Sequence, residues 1–260
     1  MITIRRAHQR ECVVQHDRES WISFDRAQPD LRGEDLGPLD GFREGRLPPR
    51  ASVRSTMDAE IVTYVRSGTL AYEDSTGRAG LIHAGEFQRM TAGTMVRYEE
   101  TNASPTQWAH VFQVYLRAQA GIEAGHEQRR FSVAERRGVL CMVASQGGER
   151  GSLELHQDAQ IYSSLLTRGQ HVIHGLDDQR CVWLHIVEGS ASVGGQTLAT
   201  GDGARISAEH AVSLTASQDT ELLLLDLRLG ASLRREDVDH EPRDGSRAIS
   251  AMGLSGSLWT

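Results

Sequence analysis

Six runs carry most of the chain's apolar residues: "EIVTYVRSGTLAYED", "AGLIHAGEFQRMTAG", "QWAHVFQVYL", "CVWLHIVEGSASVGG", "ARISAEHAVSLTA" and "TELLLLDLRL". Val, Ile, Thr and aromatic side chains suit a pleated, half-buried surface. The runs are bounded by Gly, Asp, Asn or Ser, the residues that close turns. No comparable stretch of this core shows a 3.6-residue apolar period. The expected fold class is all-β, a sandwich or barrel of short strands. Composition supports this: 26 glycines stand against 6 prolines, and 39% hydrophobic residues suffice for a buried core.

The pattern also repeats. "VRSGTL" followed by "AGEF" matches "VEGSAS" followed by "TGDG", a hairpin glycine and then a Gly-acid turn; Gly68 to Gly85 spans 17 residues and Gly189 to Gly201 spans 12. Self-similarity on this scale predicts duplicated β domains with a shorter hairpin in the second copy. The polar stretch "AQAGIEAGHEQRRFSVAERR" reads as the connection between the halves. The expected organisation is an N-terminal domain over 1–118, a C-terminal domain over 119–229 and a mobile tail over 230–260, where the composition turns charged and then small-residue rich.

A net charge of -7 argues against nucleic acid as a partner, because phosphate binding needs a basic surface. The chain has no lysine, so all 28 basic residues are arginine. That excludes Schiff-base chemistry, lysine-anchored pyridoxal phosphate and a Walker A loop on this chain's own residues. Cys12, Cys141 and Cys181 are widely spaced and form no CxxC pair, so reduced, mostly buried thiols are expected. The N-terminal segment has no apolar signal region, and no run approaches the roughly 20 apolar residues of a membrane span. A cytoplasmic protein without membrane partners is the expectation.

Several segments together carry a family likeness. "SWISF", "DAEIVTYVRSGTLAYEDSTG", "AGEFQRMTAGTMVRYEETNAS", "GHEQRRFS", "GSLELHQDAQIYSSLL" and "VWLHIVEGSASVGG" resemble the pirin family in the right order over roughly residues 1 to 229. The resemblance implies two tandem cupin barrels, a bicupin. It also implies an iron-type metal held in the N-terminal barrel by three histidines and a glutamate, and some bacterial pirins act as quercetin dioxygenases. Here the family's HxH before "DAEIVTYV" becomes Arg54 and Thr56. The family's third histidine and its glutamate, in a run that here reads "RYEETN", become Tyr98 and Glu100. Gly175 and Asp177 hold the two HxH positions of the second half.

Such a metal wants imidazole and carboxylate donors with open positions. A guanidinium is a permanent cation, a Thr hydroxyl is a weak donor and a Tyr is protonated at neutral pH. No metal and no other cofactor is expected, and an Arg54–Glu100 ion pair is expected to plug the old site. His110 alternates with Trp108, Phe112 and Val114, so it reads as a hydrogen-bonded interior residue with the option of lining the first barrel. His171 and His174 read as surface residues.

Three functions follow in order of expectation. The first is a metal-free, non-catalytic binding or accessory protein for a partner protein, a peptide or a small ligand, with homo- or hetero-oligomers open to it and a biosynthetic role among the options. The second is a cofactor-free isomerase or cyclase using Arg54, Tyr98 and Glu100. The third is a metal-dependent dioxygenase that recruits another ligand set, His83 or His110 included. The enzyme question leans to no, since fold likeness does not transfer activity when the residues that carry it have changed.

Overall fold

The computed structural model describes residues 1–15, 18–25, 36–91 and 96–230, with the side chain of Met57 excepted. The expected tail lies outside the described residues from 231 onward. Among the described residues the regular secondary structure is almost entirely strand. The first are β1 (Ile2–Arg5), β2 (Glu11–Gln15), β3 (Arg18–Asp25), β4 (Leu39–Leu47), β5 (Ser52–Met57), β6 (Ala59–Ser67) and β7 (Thr69–Asp74). Next come β8 (Ala79–His83), β9 (Glu86–Thr91), β10 (Val96–Asn102), β11 (Ala109–Arg117) and β12 (Gly125–Arg130). A one-turn helix, α1 (Val133–Arg136), is closed by a capping box between Ser132 and Glu135.

The second half holds β13 (Cys141–Gln146), β14 (Leu153–Leu155), β15 (Ala159–Leu166), β16 (His171–Gly175), β17 (Arg180–Glu188) and β18 (Ser190–Val193). It ends with β19 (Gln196–Ala199), β20 (Gly203–Ser207), β21 (Ala211–Ala216) and β22 (Thr220–Arg228). Each half pairs a seven-stranded sheet with a four-stranded one: β12-β9-β6-β11-β4-β3-β2 with β5-β10-β7-β8, and β1-β20-β17-β22-β15-β13-β14 with β16-β21-β18-β19. These are the two tandem cupin barrels expected. No helix among the described residues is long and apolar enough to cross a membrane.

The internal repeat is real in three dimensions. Gly68 joins β6 to β7 and Gly189 joins β17 to β18, with φ of 82° and 87°. At both, an added Cβ would collide with the backbone of a neighbouring strand, so the left-handed turn and the close approach both require glycine. The shorter second spacing comes from β18 and β19, four residues each, against six and five in β7 and β8.

Two strands cross the boundary expected at 118/119. β1 pairs antiparallel with β20 of the second half, with Ile2 opposite Ile206. β12 lies in the segment read as a linker, yet it pairs with β9 along its whole length, from Gly125 opposite Thr91 to Arg130 opposite Glu86. The linker reading is therefore corrected. The wholly polar "GHEQRR" is the edge strand of the first half's large sheet, where Gln128 and Arg130 reach solvent.

The largest apolar cluster lies between the two seven-stranded sheets. Phe42, Phe112 and Phe131 from the first half meet Val143, Trp183 and Leu225 from the second, all buried. Phe42 and Trp183 bring their rings to 6.4 Å. A buried polar tie crosses beside them: Tyr64 OH donates to Glu221 Oε1 at 2.5 Å, and Arg136 Nη1 donates to both at 3.1 Å. The second barrel is filled by Leu184, Ile186, Leu214, Leu222 and other apolar side chains. Among the cysteines only Cys181 is buried; Cys141 is half-buried and Cys12 is exposed on β2.

Candidate functional site

The first barrel differs from the second in having a polar centre. Strand register places Gln88 of β9 opposite Thr63 of β6, Thr63 opposite Gln113 of β11, and Gln113 opposite Arg43 of β4. Directly opposed residues share a sheet face, so these four form one row across the inner face of the large sheet. Thr63 and Gln113 are each flanked in their strands by buried apolar or aromatic residues on both sides, whereas Gln88 and Arg43 are flanked by Phe87 and Phe42 on one side and by Arg89 and Glu44 on the other. Phe112 and Val114, for example, point away into the core between the barrels and leave Gln113 to the interior.

Tyr98 and Glu100 of β10 face this row from the small sheet. Gln113 Nε2 donates to Glu100 Oε1 at 2.8 Å and lies 3.5 Å from Thr63 Oγ1. Tyr115 OH donates to Gln113 Oε1 at 2.9 Å, and Tyr98 OH donates to Gln88 Oε1 at 3.4 Å. Gln88, Thr63, Tyr98 and Glu100 are all buried. Arg43 stacks over Tyr115 at 5.0 Å and donates to Asp25 Oδ2 at 2.7 Å.

Burial governs the titration of this cluster. Loss of water raises the Glu100 carboxyl to about 7; the Gln113 hydrogen bond, the Arg18 charge and nearby Tyr98 offset only part of that rise. Burial likewise pushes Tyr115 up to about 12, and burial with the charge of Glu100 pushes Tyr98 well above its ordinary value. Glu100 therefore exchanges a proton near neutral pH while both phenols keep theirs.

Of the residues singled out in the sequence, Tyr98 and Glu100 come together and the other three do not join them. β5 pairs with β10 so that Arg54 stands opposite Glu99, Ser55 opposite Tyr98 and Val53 opposite Glu100. Arg54 and Thr56 consequently face outward, and Val53 and Ser55 take the side of the buried pair. Arg54 Nε donates to Glu99 Oε2 at 2.8 Å on the surface, so the expected Arg54–Glu100 plug is replaced by an exposed Arg54–Glu99 pair. The two outward residues line an open depression of about 480 Å³ with Glu73, Ser75 and Arg97.

His110 is a hydrogen-bonded interior residue, but it does not line the first barrel. It shares the outward side of β11 with Phe112, where Nε2 lies 2.8 Å from Glu44 Oε1. Burial raises Glu44, yet hydrogen bonds from His110 and from Arg10 Nη1 at 2.6 Å outweigh it and bring the carboxyl to about 2. His83 is exposed at a hairpin end. His171 is exposed beside Thr215, whereas His174 is half-buried and bonded to Asp226 Oδ2 at 2.7 Å, which corrects its surface reading. Gly175 ends β16, and Asp177 lies just beyond it.

Gln88, Thr63, Gln113, Arg43 and Tyr115 escaped the sequence reading. For Thr63 and Gln113 the signal was present, a polar residue at the centre of an apolar strand, as in "IVTYV" and "HVFQVYL"; Gln88 and Arg43 sit in strands of mixed polarity that carry no such mark. The donor chemistry of the inner site does not fit the iron-type centre that the family likeness implies. One carboxyl, two primary amides, two phenols, a hydroxyl and a guanidinium face each other, and no imidazole belongs to that set. Among the described residues no three His, Cys, Asp or Glu side chains gather as a metal cluster.

Comparison with known proteins agrees with this architecture. The family description "Pirin" matches residues 12–116, and "Quercetinase C-terminal cupin domain" matches residues 142–227. The chain is 38% identical over 171 residues to the quercetin 2,3-dioxygenase of Escherichia coli K12, covering 65% of this chain and 73% of that protein. It is 30% identical over 195 residues to a pirin-like protein of Caulobacter vibrioides, covering 74% and 80%. Among solved structures, E. coli YhhW superposes with a TM-score of 0.80 at 31% identity, covering 88% of this chain and 99% of that one. The nickel(II) complex of the bacterial pirin YhhW superposes with 0.79 at 32% identity, covering 88% and 100%.

Proposed function

From the premise that this chain belongs to the pirin family, we propose that it works without a metal, as a binding protein whose first barrel holds a small polar ligand. The observation that carries the reading is the row Gln88, Thr63, Gln113 and Arg43 facing Tyr98 and Glu100. These groups orient a ligand by hydrogen bonding. They are poor donors for iron or nickel. The exposed edge strand β2, with Val13 and Val14 open to solvent, supports the parallel expectation of a peptide or protein partner that adds a strand there.

Metal analysis of protein purified without chelator tests the reading, followed by oxygen uptake with quercetin after addition of nickel(II) or iron(II). The expected result is no stoichiometric metal and no uptake above the metal-only control. Stoichiometric nickel or iron, or metal-dependent quercetin oxidation, overturns it.

A second reading rests on Glu100 alone. A carboxyl near 7 is matched to general acid–base work at neutral pH, and Tyr98 beside it is a phenol that stays protonated. Under this reading the protein is a cofactor-free isomerase or cyclase, with Arg54 playing no part. Turnover of a bound compound, abolished by Glu100→Gln while binding survives, would favour it over the first.

A further inference from the structure

Where β2, β3 and β4 meet, a cavity of about 120 Å³ is lined by Val13, Gln15, Arg18, Ser20, Ile22 and Arg43. Register places Arg18, Ser20 and Ile22 on the same face as Arg43, with Val13 and Gln15 opposite Ser20 and Arg18. That is also the face of Gln113, and Arg43 belongs both to the cavity wall and to the polar row. Two guanidiniums point here, and their charges are differently placed. Arg43 is balanced by Asp25 at 2.7 Å. Arg18 Nε donates to Ser20 Oγ at 3.2 Å, and no carboxylate among the described residues pairs with it. Its charge acts on Glu100 and Tyr115.

The site is also short of acceptors. Arg43 Nε on the cavity wall is a buried N–H group with no partner among the described residues, and an unmet buried donor is costly. The Glu100 carboxyl is partly protonated at neutral pH, which further reduces the negative charge on offer. A ligand that satisfies this site brings acceptor oxygens and one negative charge. A carboxylate matches the planar fork of a guanidinium. Val13 and Ile22 give the remaining wall an apolar character, which suits a hydrocarbon body. The volume is below the roughly 150 Å³ of an apolar cavity that takes benzene, so the hydrocarbon body is a short aliphatic chain.

We propose that the first barrel binds a small organic monocarboxylate, about the size of propionate, with its carboxylate on Arg18 and Arg43 and its apolar body against Val13 and Ile22. This rests on the binding-protein reading above and names the ligand class for it.

Titration calorimetry of the full chain with propionate and with propionamide tests the proposal. Propionate binds, and propionamide binds at least about tenfold more weakly, because it lacks the charge that pairs with guanidinium. Arg18→Gln removes the preference at an unchanged melting temperature; Arg43→Gln serves as the second variant. Equal affinity for acid and amide, no binding of either, or a preference that survives in Arg18→Gln overturns the proposal. Metal content of the same preparation separates the two readings. Stoichiometric metal with an intact propionate preference overturns the metal-free reading alone, and a metal-free protein blind to propionate overturns this one alone.

Discussion

At the scale of the residue, Glu100 shows how burial sets chemistry. Its folded-state value, about 7, lies above the ordinary 4.5, so the folded protein holds the proton more tightly than the unfolded chain. The stability this provides is complete below pH 4.5 and is lost as pH rises through 7. Replacing the carboxyl by an amide removes that loss: Glu100→Gln is expected to gain about 3 kcal/mol over the native chain at pH 8 relative to pH 4, read from urea unfolding at the two pH values. His185 behaves in the opposite sense. It is fully buried with neither ring nitrogen partnered, and burial lowers it from 6.5 to about 3. Its contribution is present above pH 6.5 and falls away toward pH 3, so His185→Leu should flatten the acid limb of the stability curve by up to about 1.4 kcal/mol per pH unit.

The same scale shows what the sequence made legible in the site. Tyr98 and Glu100 were readable because they sit inside a recognisable run, and their facing side follows from strand alternation. Arg54 and Thr56 were placed by likeness of position, and a one-residue difference of pairing turns a whole strand's side chains to the other face. Arg54→Ala is accordingly expected to leave melting temperature and ligand binding unchanged. Gln113→Leu, which takes the hydrogen-bond donor from buried Glu100, should cost about 1–3 kcal/mol in the same unfolding measurement.

At the scale of the element, strands and turns were legible because alternation and glycine placement are local properties. Pairing partners were not. Nothing within "ITIR" shows that β1 completes the edge of the second barrel, where Ile2 and Ile4 pack against its apolar filling. Nor does "GHEQRR" declare a partner, since it is wholly polar and its contacts lie in β9. Removing residues 1–5 uncovers the edge of β20. Amide hydrogen exchange should then accelerate over Gly203–Ser207, while the β6 and β11 amides of the first barrel keep their protection.

At the scale of the whole molecule, the two barrels share their largest core, and two strands are lent across the expected boundary. Cooperative behaviour follows from that sharing. Calorimetry is expected to show one unfolding transition for residues 1–230, and separate expression of 1–118 and 119–229 is expected to give chains without fixed tertiary structure. Two resolved transitions, or two folded fragments, would sink this expectation. The division into halves read from the internal repeat describes how the chain is patterned, whereas stability belongs to both halves together.

The lent first strand also bears on synthesis. Met1 and Ser207, hydrogen-bonded at the end of the β1–β20 ladder, stand 206 residues apart. At about 5–20 residues per second, the ribosome leaves that opening segment waiting roughly 10–40 s for its partner. Strands of the first barrel meet their neighbours within that interval. A strand made well before its partner is thus among the last to be paired, and a nascent chain stalled before β20 carries an unclaimed β edge into the cell.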